Sequence, residues 1–468
     1  MRKSFVAGVA TSLSFASIAF STLAAGEKPL TLDNVVVTIG ATTYGIPHLE
    51  IEGANLPWAE LAKLFLSGDT NVAARLARVS ARRIAVPAMS SETHTESRLT
   101  RAAYRNLVFQ NVVSGRAATV HADGGEETIE SEKGGVQHIA WGVSEAKGVD
   151  LVGIARLAAT RSEADAPLKP VVDEEVVDST RVENAGGDFV VTTGRVRIAG
   201  VRGRALQTPA DKLVERLEKF NPAKPEDDPA LMGDLLNALQ SFEAASIDVD
   251  AVAMTGKGEP AAKPFASKIE RFGMRKVAGA GAGEIFAEDF SLKASDGGSL
   301  SVNRFALNEL QFAPVLRGAY PKVERVDMRG FAADLPDPKT GDASRIRFSV
   351  EKASASFENF LETTPTKFSG SVDKFIVDLA ARGETQTTAH FLALGYRELA
   401  LSGLAAAEWR EKTSEAALGP VAIDAKDMGA ARVSALFGNV SSAAFSSSAI
   451  VFARGDAGDV GQVDRSYA

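Results

Sequence analysis

Apolar and polar positions alternate along most of the chain beyond residue 30. Val35, Val37 and Ile39 share one parity, and His48, Glu50 and Glu52 then alternate with Leu49 and Ile51. A period of two marks strands with one wet face. It recurs at residues 189–198, 285–290, 300–312, 345–350 and 368–379. Gly124-Gly125, Gly186-Gly187 and Asp296-Gly297-Gly298 supply turn signals near or between these runs.

Helical spacing is scarcer. Pro57 precedes a stripe of Trp58, Leu61, Leu64 and Phe65, which Gly68 ends. Thr208-Pro209-Ala210-Asp211 opens a second helix carrying Leu213, Leu217 and Phe220, closed by Pro222, and a third runs from about residue 230 with Leu231, Leu235, Leu239 and Phe242 in line. Residues 405–417 and 430–436, rich in small side chains, read as further short helices. So few helices cannot cover both faces of a parallel sheet. The expected fold is mainly β (β-rich α+β): a large curved antiparallel sheet or sandwich with short accessory helices.

Breaks in the pattern divide the chain. Residues 161–187 are acidic and contain proline, residues 221–229 and 256–264 are Pro- or Gly-rich, and residues 335–342 form a polar turn. The expected regions are 1–25 (signal peptide), 26–160 and 188–332 (both β-rich with helices), and 343–468 (β-rich). Two stretches share one order of elements: strand 49–52, Leu56, helices, strand 80–86, and strand 195–200, Leu206, helices, strand 246–250. Either a distant duplication or two uses of a common grammar accounts for that.

Export is written into the first residues. Arg2 and Lys3 precede an uncharged run from Ser4 to Gly26, and Thr22-Leu23-Ala24 offers a cleavage site after Ala24. Serines and threonines in the run suit a cleaved signal better than an anchor. No later stretch reaches the ~18 apolar residues of a spanning helix, so the mature chain is expected in the periplasm without a transmembrane segment. It has no cysteine, so its core must hold without disulfides. The net charge of −8, more negative still without Arg2 and Lys3, argues against nucleic acid as a partner. Phe outnumbers Trp and Tyr, 24 to three and five, which favours packing over sugar-stacking platforms.

Candidate chemistry is thin. Gly279-Ala280-Gly281-Ala282-Gly283 is followed by strand-like alternation, whereas a dinucleotide loop needs a helix there. Ser349-Val350-Glu351-Lys352 and Ser371-Val372-Asp373-Lys374 match the Ser-x-x-Lys of penicillin-recognising enzymes, and Lys339-Thr340-Gly341 their second motif. Both serines fall in strand-like sequence, where that chemistry needs a helix start. His48, His94, His121, His138 and His390 have no metal-pair spacing. His48, Glu50 and Glu52, like Asp248 and Asp250, read as solvated strand faces. The expectation is binding without catalysis and without a cofactor.

Residues 391–399 (Phe-Leu-Ala-Leu-Gly-Tyr-Arg-Glu-Leu), Trp409, Val421-Ala422-Ile423-Asp424 and Asp427-Met428-Gly429 are similar to a pattern recurring in long exported bacterial proteins. The alternating strands broken by short helices resemble the AsmA-like periplasmic β-groove proteins. That resemblance implies a curved sheet whose apolar hollow side handles lipid chains. The groove candidates are Val35, Val37, Ile39, Val196, Ile198, Phe305, Leu307, Ile346, Phe348 and Val350. The alternative is an envelope protein with a closed β core that meets a protein partner.

Overall fold

The computed structural model describes residues 29–445 except 40, 67–71, 96–97, 132–134, 160–165, 221–227, 258–263, 316–319, 338–340 and 383–385. The expected export signal therefore lies outside the described residues, as do Gly68 and Pro222. The architecture is a large antiparallel sheet of 22 strands with few short helices. The chain divides into two compact units, residues 1–295 and 296–468.

In the first unit β1 (Leu30–Ile39), β2 (Thr42–Glu52), β3 (Ala81–His94) and β4 (Arg98–Val113) form successive hairpins. The next four long strands are each broken in two: β5 (Arg116–Ala122) and β6 (Gly124–Ser131), β7 (Val136–Trp141) and β8 (Ser144–Asp150), β9 (Lys169–Val177) and β10 (Thr180–Asn184), β11 (Phe189–Thr193) and β12 (Val196–Gly203). One set of halves pairs in the order β4–β5–β8–β9–β12 and the other in the order β4–β6–β7–β10–β11. Both ladders meet again on β13 (Phe242–Gly256), which leads to β14 (Phe265–Ala278) and β15 (Gly281–Ala294). Gly124-Gly125 is thus a break inside a strand and not a turn. Within the expected linker, Lys169–Val177 and Thr180–Asn184 are strands, and Glu174 accepts from Lys147 and Arg197 on the flanking strands.

The breaks belong to two creases that cross this unit. At the first, Asn34 (φ 54°) meets Pro47, Asn106 (φ 48°) meets Pro87, and Ala251 (φ 50°) meets Glu270. At the second, Gly53, Asn111, Gly148, Gly200 and Lys276 hold φ between 50° and 63°. Each crease pair lacks ladder bonds while the register on either side is unchanged, which is why Pro47 and Pro87 are tolerated within a sheet. A left-handed residue also reverses the side-chain alternation. Core residues step by three at the creases, across a left-handed residue in Leu32 to Val35, Phe109 to Val112 and Ala146 to Val149, and opposite one in Ile84 to Ala81 and Val86 to Met89, all in or against one buried cluster.

Among the described residues of this unit, five helices sit in the connections. α1 (Trp58–Leu66) and α2 (Val72–Leu76) join β2 to β3, α3 (Leu151–Ala159) joins β8 to β9, and α4 (Ala210–Lys219) and α5 (Pro229–Leu239) join β12 to β13. The side chains of Leu64 and Phe65 lie outside the described residues. Leu61 and Ala62 of α1 and Leu151, Ile154 and Leu157 of α3 cap the cluster over β1–β5, β8 and β9. The α4–α5 pair instead forms its own cluster around Leu206, Leu213 and Leu231, which draws no residue from a strand. The two helix-bearing hairpins are built alike: Asn55 N–H donates to Ser80 O in one and Arg204 N–H to Ser241 O in the other.

The second unit is a meander of β16 (Ser299–Gln311), β17 (Arg325–Asp337), β18 (Gly341–Leu361), β19 (Thr364–Asp378), β20 (Glu398–Arg410), β21 (Glu415–Ala425) and β22 (Gly429–Phe437), with α6 (Gln386–Ala393) between β19 and β20. The expected helices at 405–417 and 430–436 are strands. Their small side chains answer large ones across the ladder, as Ala407 does Phe368, and that packing overrides local propensity. A crease runs here too, with Asn303 facing Gly330 (φ 63°) and Glu351 facing Lys374 (φ 47°).

Candidate functional site: a half-covered apolar sheet face

Ladder pairing aligns one apolar row from β1 to β15. Leu30, Ile51, Ile84, Phe109, Val120 and Ala146 follow one another as cross-strand partners. Then comes Glu175, the row's one ionisable residue, and after it Ile198, Ile247, Met274 and Ile285. The row changes character at Glu175. Up to β9 its members pack into the cluster beneath α1 and α3, whereas Ile198, Ile247, Met274 and Ile285 are only half-buried, since α4 and α5 pack on each other.

Glu175 is 2 % exposed, and its Oε1 has no hydrogen-bond partner among the described residues. Burial pushes its carboxyl well above the usual carboxylate range, because the charged form loses its hydration.

A second row lies beyond the first crease. It carries Ala102, Glu127, Ile139, Val182, Val191 and Met254 as successive partners. Ser267 on β14 pairs with Met254, is buried, and has an Oγ with no partner among the described residues. Burial raises the Glu127 carboxyl, with Arg98 opposing the shift. Tyr104 stacks on Trp141 at 5.4 Å nearby, and burial raises its phenol.

The opposite face is charged. Lys147, Glu174, Arg197 and Asp248 alternate in sign across β8, β9, β12 and β13, with Arg197 reaching Glu174 on the diagonal, and Asp248 binds Arg271 at 3.0 Å and Arg275 at 2.5 Å. His48 belongs to that face: its Nδ1 is 2.7 Å from Asp33 and its Nε2 3.3 Å from Glu50, whose hydrogen bonds raise its pKa. Glu52 binds Arg82 and Arg83. Two-sided polarity of this kind fixes which face of the sheet meets water.

In the second unit the rows are apolar and more open. Val302, Phe331, Val350, Phe375 and Leu401 are consecutive partners, and so are Phe305, Met328, Ala353 and Val372. None of the buried clusters among the described residues draws on this unit. Phe348 stacks between Phe331 at 5.5 Å and Phe375 at 6.1 Å.

The sequence-derived groove residues fall into three groups. Val35 is fully buried and Val37 packs on the same cluster, so these two serve a closed core; the side chain of Ile39 lies outside the described residues. Val196 packs on the cluster of Ala102, Ile129, Ile139, Trp141 and Val177, whereas Ile198 is half-buried outside the buried clusters of the described residues. Phe305, Leu307, Ile346 and Phe348 are partly exposed and Val350 is buried, all in the second unit. The Ser-x-x-Lys serines lie mid-strand on β18 and β19, with Ser371 Oγ 3.0 Å from Ser354 Oγ. Sequence reading missed Glu175, Glu127, Ser267 and the row through Ile247, Met274 and Ile285. The step of three from Val172 to Glu175 would have revealed Glu175 as inward-facing.

Comparison with protein-family models, curated proteins and solved structures finds no match to this chain.

Proposed function

We propose that this is an exported periplasmic protein that binds a lipid or a similar apolar ligand on its sheet face and performs no chemistry on it. The observation that carries this reading is the row Ile198–Ile247–Met274–Ile285, which continues a packed core onto positions that belong to no buried cluster among the described residues. An apolar face left half-exposed at this length needs an occupant. A row spanning β12 to β15 measures about 14 Å at ~4.8 Å per strand, the scale of part of an acyl chain. The row offers no hydrogen-bonding group after Glu175, which suits hydrocarbon better than a protein partner, whose contact would need a polar rim. The resemblance to AsmA-like groove proteins points the same way, and the signal-like first residues support export.

The test is extraction of the purified protein with organic solvent followed by lipid mass spectrometry. Stoichiometric lipid that disappears in Ile247→Asp is the expected result. A protein free of lipid in every preparation overturns the reading and favours the closed envelope protein with a protein partner.

A further inference from the structure

α1 and the α4–α5 pair leave the sheet from hairpins of like build and treat it differently. Where β2 passes to β3, Leu56 and Leu61 pack on the strand cluster. Where β12 passes to β13, Leu206 turns instead to Leu213 and Leu231, and Ile198, Ile247 and Met274 stay half-buried. α5 also has apolar surface that its own cluster does not use. Leu231, Leu235 and Ala238 pack in the α4–α5 cluster. Leu236 and Leu239, one turn apart, join none of the buried clusters among the described residues, and Leu239 is 46 % exposed. A helix that is apolar on two sides calls for cover on both. Phe242, where α5 runs into β13, is 37 % exposed as well.

We infer that α4 and α5 form a lid, hinged at Arg204 and Ser241, that swings α5 over Ile198 and Ile247 and closes Leu236 and Leu239 on hydrocarbon bound there. The inference rests on the lipid reading proposed above and adds how the ligand is retained. The pair is built to move as one body. Arg216 of α4 binds Asp228 at the head of α5 at 2.7 Å and also Asp234, and Asn237 of α5 donates to Gln207 Oε1 at 2.9 Å. Leu206, in the same cluster, travels with them. The hinge itself is tied to the sheet, by the Arg204 N–H on Ser241 O and by Arg204 Nη1 on Ala166 O at 3.0 Å. The reach fits the row. The eleven residues of α5 span about 16 Å, and β13 covers the same ~16 Å from Phe242 to Ile247. In the first helix-bearing hairpin α1 already holds the closed position, with Leu61 fully buried.

The chain has no cysteine, so Ala230→Cys with Lys293→Cys carries spin labels at two exposed positions and nowhere else. In pulsed electron spin resonance the lipid-free chain should show one label distance, and vesicles of phosphatidylethanolamine and phosphatidylglycerol should shift the population to a shorter one. Leu239→Asp supplies the second arm. Leu239 is largely exposed in the open position, so the variant should melt like the parent, yet it should release bound lipid about tenfold faster, as loss of one buried leucine contact predicts. A label distance that lipid leaves unchanged overturns the lid while bound lipid keeps the ligand reading. A Leu239→Asp chain that retains lipid as long as the parent overturns the lid equally. A chain that neither takes up lipid nor changes its label distance overturns both.

Discussion

Asn106 donates its side-chain Nδ2 to Asp123 Oδ2 at 3.1 Å, and so ties β4 to the break between β5 and β6. The bond spans the first crease at the point where Asn106 itself holds φ 48°. Asn enters the left-handed region at lower cost than most residues, and its amide holds the neighbouring strand in place there.

Replacing Asn106 therefore separates backbone from side chain. Asn106→Gly should keep the crease and lose only the amide bond, a change of about 1 kcal/mol or less. Asn106→Val forces a β-branched residue to positive φ and should cost ~1–3 kcal/mol more. Urea unfolding of the two variants checks this, and equal midpoints would contradict it.

Gly148 makes a similar demand on the second crease. It holds φ 61°, and a Cβ there would meet the Asp173 carboxylate, which binds Arg116 at 3.0 Å. Gly148→Ala should cost about 1–2 kcal/mol from backbone strain alone. A thermal melt unchanged by the substitution would show the crease to be unstrained.

Glu175 predicts a pH dependence. In the unfolded chain its carboxyl ionises near its ordinary value of 4.5, while in the fold burial holds the pKa well above that. Below pH 4.5 both states are neutral and no penalty arises. As pH rises past that value only the unfolded chain releases the proton, so stability falls until the folded group ionises too. Glu175→Met, which fills the apolar row without an unpaired oxygen, should stabilise the protein by about 1–3 kcal/mol at pH 8. The gain should shrink at pH 4. Denaturation at the two pH values decides it, and an equal gain at both would show that ionisation plays no part.

Two aspartate substitutions divide the closed core from the uncovered rows. Val35 is completely buried, so Val35→Asp should unfold the first unit, at a cost of several kcal/mol, about 3 or more. Ile247 is half-buried, and Ile247→Asp can reach water, so its melt should move little while bound lipid is lost. Circular dichroism melts and lipid content, measured on both variants, provide the check. Collapse of both would show that β13 belongs to a packed interior.

Much of this was legible in the residues. The strands at 285–290, 300–312 and 368–379 and the three helices opening near Trp58, Ala210 and Pro229 stand where their periodicity puts them, although the third ends at Leu239 and Phe242 already begins β13. The rest was hidden by the creases. A strict period of two breaks at each crease, at the left-handed residue or at the residue that faces it, as Asp173 faces Gly200, so Val172, Glu175 and Val177 look like residues of two faces when they share one. The Asp173-Glu174-Glu175 run then reads as a solvated linker. Small-residue runs misled for another reason: Ala405 to Ala407 carry no pattern of their own and are strand only because β19 places Gly370 and Phe368 opposite them.

The creases also restrict how such a chain can change length. Away from a bulge such as the one at Val171 beside Val201, a strand in register with two neighbours cannot gain or lose one residue between creases without turning its outer segment inside out, apolar side to water. Neighbouring strands would have to shift in step. Growth by entire hairpins escapes that constraint, since each added pair brings its own matched phase reversals, and the shared build of the β2–β3 and β12–β13 connections is what such a history would leave behind.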